Sequence, residues 1–425
     1  MNPFILILAI LRRHRLITLL FVVIVALSIA LGTGILSQEK ALRQGSSTAA
    51  DKFDIIIGAP GSQMDLLLSA VYLQPKAVEL LDGKILSEVA VNPEVEFVAP
   101  LAFGDTHESF PVVGSTAEFI TYLGDGKLEG RVFERIEEAI AGADVNLRIG
   151  DRFTPVHGHL DRSKSLSLDA DTVTDADADA FFQALDAAHQ EARKTVVGRM
   201  PRTGTPWDRA LITPVESVWA IHDLPTGHDP SGPRAQALGA PFDSAFLPGV
   251  PALVVKPKSF AGAYALRSEY RGDRTTAFFP AEVLLQLYAV MGDARLVLSF
   301  LALATQVLVL LGIFAGILAL MQLLRRQFGV LRAMGAPRLY LFAVLWGFLA
   351  LLISMGSAIG LGLGWSCSVL LSAWLSNKTG IALHPGLGRS ELWSAGRFVL
   401  IGYGLALVPS GILYRQPAIE SLKQT

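Results

Sequence analysis

Few residues in this chain have the type and spacing for metal or covalent chemistry. His157 and His159 flank Gly158, so on an extended strand both imidazoles fall on one face. Asp161 and His107 would then complete part of a zinc site. Asp169, Asp171, Asp175, Asp177 and Asp179 form an acidic run, but it lacks the glycine and the closing bidentate glutamate of an EF-hand loop. The histidines are read as surface groups in a turn-rich region and the aspartates as a solvated helix start or loop, so no metal ligand is assigned. The single cysteine, Cys367, lies inside an apolar stretch, and neither a Ser-His-Asp arrangement nor a Gly-x-x-x-x-Gly-Lys-Ser/Thr phosphate loop is visible. No catalytic residue is assigned, and energy for any work must come from a partner.

What remains is binding chemistry. Arg325, Arg326, Arg332 and Arg338 crowd one short segment, with Phe328, Leu331 and Met334 at helix-like intervals and Gly335 and Pro337 closing it. Apolar anchors of this kind grip a partner groove, and arginines pair with its carboxylates. Gln327, Gly329 and Ala336 complete the candidate coupling set. Lipid head groups alone would explain the arginines, but not the apolar spacing or the Gly-Ala-Pro stop.

The elements that position this segment are four apolar stretches at 16–36, 295–324, 339–375 and 392–414, each close to or beyond the roughly 20 residues needed to cross about 30 Å of hydrocarbon. The first reads as a retained signal anchor, because its apolar run exceeds that of a cleaved signal peptide and lacks a small-x-small exit. Basic residues flank the first span (Arg12, Arg13, Arg15), fill the second connection and follow the fourth span (Arg415, Lys423). They mark the cytoplasmic side, giving a cytoplasmic N-terminus at 1–15, a coupling helix at 325–338, a short outer loop at 376–391 and an inner tail at 415–425. Residues 37–294 then form the extracytoplasmic domain, which holds nearly all the acidic residues of a chain that is 51% hydrophobic and only 17% charged. The net charge of -2 gives no electrostatic argument for nucleic acid.

Within the outer domain, 53–57 closes on Gly58-Ala59-Pro60-Gly61 and reads as a strand entering a turn. Further strands are expected at 95–101, 110–113, 195–198, 210–213 and 252–255, and helices at 134–143 and 175–193, making a mixed α/β domain. From 280 to 294, Val283, Leu284, Leu287, Tyr288 and Met291 keep helical spacing and run into the second span. The cores of the spans carry no Asp, Glu, Lys or His, which suits moving helices better than an ion path. Gly356, Gly360 and Gly364 in the third span, and Gly312 and Gly316 in the second, have the spacing that lets backbones approach, either within the chain or across a dimer.

The stretch Arg325-Arg326-Gln327-Phe328-Gly329-Val330-Leu331-Arg332-Ala333-Met334-Gly335-Ala336 resembles the coupling segment of MacB/FtsX/LolC-type ABC transporter permeases. The tail from Tyr414 through Pro417-Ala418 to Leu422 resembles their closing signature, and one helix plus three around an outer domain matches their layout. Ile57-Gly58-Ala59-Pro60-Gly61-Ser62 and Gly204-Thr205-Pro206-Trp207-Asp208-Arg209 also look like a branch of this family. Many relatives carry an acidic residue where Gln327 stands.

The resemblance implies a multi-pass permease subunit of the bacterial inner membrane with its large domain in the periplasm. It would dimerise, with itself or a paralogous permease, and dock two copies of a separate ABC ATPase that holds ATP and magnesium. No cofactor is expected on this chain. The expected function is coupling of ATP hydrolysis to a periplasmic conformational change that exports or extracts a lipoprotein, lipid, peptide or metal-linked cargo, with a further periplasmic protein as an additional partner. The alternative is a regulator that activates a periplasmic enzyme without transport.

Overall fold

The computed structural model describes residues 2–157 and 193–415. The acidic run, His159, Asp161 and the expected helix at 175–193 lie outside the described residues, as does most of the tail motif. The chain divides into two compact units: Gly45–Tyr288 with Leu375–Ala382, and the remaining segments Met1–Gln44, Ala289–Trp374 and Leu383–Thr425.

The first of these is a mixed sheet clad with helices. Its strands are β1 (Ile55–Gly58), β2 (Val95–His107), β3 (Phe110–Ser115), β4 (Glu129–Gly130), β5 (Glu138–Ala141), β6 (Arg152–Phe153), β7 (Val156–His157), β8 (Lys194–Arg199), β9 (Leu211–Pro214), β10 (Ala252–Pro257) and β11 (Thr276–Phe278). Their order is β11-β1-β10-β2-β3-β9-β5-β8-β4, with β6 on β8 and β7 on β2. The β3–β9 and β5–β8 pairs are parallel and the other pairs antiparallel.

Side chains alternate across a strand, and here both faces are covered. Ile56 of β1 and Val254 of β10 enter one core with Phe97, Ala99 and Leu101 of β2. Ile55, Ile57, Leu253 and Val255 enter another on the opposite face. That is why β1 reads as three consecutive isoleucines rather than an alternating strand. Gln63–Ala70 and Ala117–Leu123 cover the first face, capped by Ser62 and Thr116, whose side chains accept from Asp65 N and Phe119 N. Gly83–Ala90, Val215–Ile221 and Phe260–Glu269 cover the second.

The expected strands are all present within a few residues, but the helix expected over 134–143 is not formed. Its Glu138-Ala139-Ile140-Ala141 segment is β5, wholly buried between β8 and β9. Helix-favouring glutamate and alanine are overruled by pairing with β8 and β9 and burial of Ala139, Ile140 and Ala141. Arg131 meets Glu138 through two guanidinium hydrogen bonds, and Glu134 N donates to the same carboxylate at 2.8 Å. The Arg131 contact holds the Glu138 carboxyl down to about 2.

A second buried acid behaves oppositely. Glu216 and His228 are 2% and 4% exposed, with Oε1 and Nε2 3.8 Å apart, close enough to be taken for an ion pair. Burial pushes Glu216 up to about 7, even though Gly239 N donates to Oε1 at 2.6 Å, and burial pushes His228 down. Burial thus favours the neutral acid at Glu216 and the neutral imidazole at His228. The folded chain binds the Glu216 proton more tightly than the unfolded chain, so stability falls as pH rises from the ordinary value of 4.5 through about 7, reaching a penalty of about 3 kcal/mol. Glu216→Gln is expected to raise the unfolding midpoint at pH 8 and leave it nearly unchanged at pH 4.5. Parallel pH profiles for the two proteins would rule the burial argument out.

The other unit is helical. Among the described residues, four helices are long and apolar enough to cross a membrane: α1 (Pro3–Arg13) is a short helix ahead of them, and the four lie in α2 (Arg15–Ala50), α3 (Pro280–Ala333), α4 (Arg338–Thr379) and α5 (Arg389–Arg415). In α2, α3 and α4 the helix contributes residues to both units. The pattern at 280–294 is thus the first turns of α3, with no surface-lying segment before the span. α1 was not expected; Asn2 caps it, Pro3 opens it, and Ile7 is buried while Phe4, Ile5 and Leu8 are exposed.

The core of this unit joins Val22, Val25 and Ile29 of α2 to Val344, Phe348 and Leu352 of α4. Trp346 and Ser354 of α4 also fasten α5, through a 3.3 Å bond from Trp346 Nε1 to Tyr403 O and a 2.6 Å contact between the Ser354 and Tyr403 hydroxyls.

Candidate functional site

The arginine-rich segment is not a separate helix. No glycine or proline interrupts 320–328, so nothing stops α3 at 324, and it runs through Ala333. This corrects the expected independent helix over 325–338. The break falls instead at 334–337. Gly335 takes a φ of +94°, open to glycine because it has no Cβ. Ala336 N donates to Leu331 O and Gly335 N to Arg332 O, both at 3.0 Å. These two bonds are the Schellman pattern that satisfies the last carbonyls of a helix. Pro337 cannot continue α3 and leads directly into α4 at Arg338.

Arg325, Arg326, Gln327 and Phe328 lie on the final turns of α3, and their side chains are outside the described set. Gly329 is buried. Leu331, expected as a docking anchor, instead packs against the helical core, because the Schellman turn folds that side of α3 back onto α4. Met334 is exposed, at 79%, with Val330 half exposed, Arg338 exposed, and Arg332 and Ala336 half-buried beside it. Among the described residues around the turn, the exposed apolar groups are Val330, Met334 and Leu339, with Arg338 exposed beside them.

The small residues of α4 meet α2 within the chain. A Cβ on Gly356 would lie 2.6 Å from Val25 Cβ, on Gly360 2.6 Å from Ala26 O, and on Gly364 2.8 Å from Ala30 O. All three lie on one helical line. On α3, Gly316 is covered by the ring of Phe21, whereas Gly312 has nothing within 4 Å of its Cβ position and lines a cavity of about 740 Å³ with Ile17, Leu20, Phe21 and Ile24.

In the sheet unit the ends of the three long helices are held individually. Ala49 and Ala50 of α2 and Val283 and Leu284 of α3 enter the main core. Tyr72 OH donates to Ser46 O at 2.7 Å, and the Ser46 and Tyr288 hydroxyls are 2.7 Å apart. The end of α4 meets the Gly204–Arg209 motif, where Arg209 Nη1 donates to Asn377 O at 2.6 Å and Lys378 O at 2.7 Å. Sequence reasoning singled out that motif as a resemblance without giving it a role. Its signal was available, since Gly380 directly follows α4 in the position that ends helices.

Of the expected histidine cluster, the described residues show only His107 and the backbone of His157. His107 Nδ1 sits 3.1 Å from Thr154 O with its ring on Phe153, as a satisfied structural side chain does. His157 stands opposite Asp105 in strand register. Among the described residues no group of three or more His, Cys, Asp or Glu could hold a metal ion.

Residues 299–418 match the family model described as FtsX-like permease C-terminal. A solved structure of the periplasmic region of MacB from Actinobacillus actinomycetemcomitans aligns with 56% of this chain and 94% of its own, at 9% identity and a TM-score of 0.31. No curated protein matches.

Proposed function

We infer, from the match of residues 299–418 to the family model described as FtsX-like permease C-terminal, that this chain is the membrane subunit through which a separate ABC ATPase drives movement of the outer domain. The family match carries the reading, because it spans the second to fourth apolar helices and the turn between α3 and α4. On this reading the turn faces the cytoplasm of a bacterial inner membrane and receives the ATPase, two copies per permease dimer. The sheet unit faces the periplasm and changes conformation as nucleotide is bound and hydrolysed, so that a lipoprotein, lipid, peptide or metal-linked cargo is exported or extracted.

One feature of the sequence supports a mechanical role: the cores of the spans lack acidic residues and lysine, which an ion or proton path through the bilayer would need.

The test is purification of the tagged full chain from mild detergent. Recovery of an ABC ATPase, whose hydrolysis rises when both are placed in lipid nanodiscs, is expected. Recovery of the chain at full yield with no ATPase under cross-linking conditions would refute the reading. Cargo transport into or out of proteoliposomes, against activation of a periplasmic hydrolase, separates transport from the regulatory alternative.

A further inference from the structure

We propose that Arg209 and the Thr203–Asp208 loop form a fixed joint on the end of α4, so that motion reaching residues 375–382 passes directly into the sheet. The proposal rests on the permease reading and names the residue through which motion would pass.

A helix leaves its last four carbonyls without intrahelical partners, and its C-terminus carries partial negative charge. At the end of α4 those carbonyls are met by a guanidinium: Arg209 Nη1 reaches Asn377 O and Lys378 O. A charge-assisted bond of this kind is stronger than a neutral one. The chain beyond is held from the same loop. Ala382 N donates to Gly204 O at 3.1 Å. Gly380, at a φ of +73°, lies so near that a Cβ would sit 2.9 Å from Pro206 Cα. The helix end is thus gripped on its carbonyls, on the segment that follows and on its turn.

The loop itself cannot yield easily. Trp207 is fully buried, with its ring 5.4 Å from Phe119 and 6.1 Å from Phe53. Asp208, 1% exposed, accepts from Thr203 N at 2.8 Å, Thr203 Oγ1 at 2.7 Å and Gly204 N at 2.7 Å. Its own carbonyl accepts Asp144 N at 2.7 Å, and Ala210 O accepts Gly142 N at 2.8 Å. Arg209 also lies over the Phe110 ring, 5.8 Å from its centroid. Two residues on from Arg209 the chain becomes β9, which sits between β3 and β5 within the sheet. The α4 end is therefore tied through Arg209 to interior strands of the sheet.

Hydrogen exchange on the full chain in nanodiscs tests this. Without nucleotide, the peptide 376–382 is expected to exchange at least ten-fold faster in Arg209→Ala, with protection recovered in large part by Arg209→Lys, while 55–57 is unchanged. With the co-purifying ATPase, ATP and vanadate, protection of 376–382 in the unsubstituted chain is expected to stay within two-fold of its nucleotide-free value while the outer sheet responds. In Arg209→Ala, hydrolysis continues and that sheet response falls at least three-fold. Nucleotide-dependent opening of 376–382, or a full sheet response in Arg209→Ala, overturns the fixed joint and leaves the permease reading intact. Absence of any nucleotide response in the unsubstituted chain counts against the permease reading itself, and in that case equal 376–382 exchange in Arg209→Ala and the unsubstituted chain would still dismiss the clamp.

Discussion

Gly360→Ala is expected to destabilise the folded chain while Gly362→Ala, two residues away on the same helix, stabilises it. In an unpacked helical position, alanine is better than glycine by about 0.5–1 kcal/mol. Gly362 has nothing within 4 Å of its Cβ position, so it keeps that gain. At Gly360 the new methyl would stand 2.6 Å from the carbonyl oxygen of Ala26 and 2.8 Å from Ile29 Cβ. Backbone cannot rotate away as a side-chain tip can, so α2 and α4 must separate. Overpacking of this kind costs about 1–3 kcal/mol, and Gly360→Leu enlarges the gap between the two positions further. Thermal unfolding of the purified full chain in one detergent reads the sign at each site. Equal shifts at 360 and 362 would mean that α2 and α4 do not meet along this line.

Met334→Glu is expected to weaken recovery of the ATPase at least 30-fold, corresponding to about 2 kcal/mol or more for a central apolar anchor. With Arg332→Glu added, no ATPase is recovered. Met334 is the appropriate first substitution because it is 79% exposed and makes no contribution to the helical core, so insertion and unfolding temperature remain those of the unsubstituted chain. Arg332 is half-buried, and its replacement alone mixes folding with binding. Leu331→Ala separates the two effects from the other direction: Leu331 packs inward, so this change is expected to lower stability and leave ATPase recovery per folded molecule unchanged. Normal recovery with Met334→Glu and Arg332→Glu combined would remove the turn from the docking surface.

The inner turn illustrates how local signals and packing divide the work. Gly335 and Pro337 announce a helix stop in the residues themselves, because only glycine takes the left-handed conformation without strain and proline cannot donate the next bond. The stop is found there, with its two Schellman bonds. Leu331 and Met334 share one helical spacing yet differ in space: Leu331 packs against the helical core and Met334 is exposed. Spacing names a stripe on a helix, but which part of the stripe faces a neighbour depends on where α4 returns.

The same limit applies to β5 and to the glycines. Glu138-Ala139-Ile140-Ala141 has helical propensity, worth only tenths of a kcal/mol per residue, and pairing with β8 and β9 outweighs it. Glycines at 356, 360 and 364 proclaim a close approach without naming the partner, since any backbone of suitable direction would fit. The partner, α2, is far away in the chain and is chosen only when Val25, Ile29, Val344 and Phe348 pack together.

The sequence by itself determined four membrane-length helices, a mixed α/β domain between the first and second, the place where α3 stops, and the family resemblance of the segment around it. These follow from length, hydropathy, period and the backbone limits of glycine and proline, all of which act within a few residues. Only the tertiary structure decided that the α4 glycines rest on α2, that Leu331 turns inward, and that Arg209 reaches the carbonyls of Asn377 and Lys378. Each of those joins residues more than 150 positions apart or sets a helix face against a neighbour, and such choices arise from packing of whole elements, which no local pattern encodes.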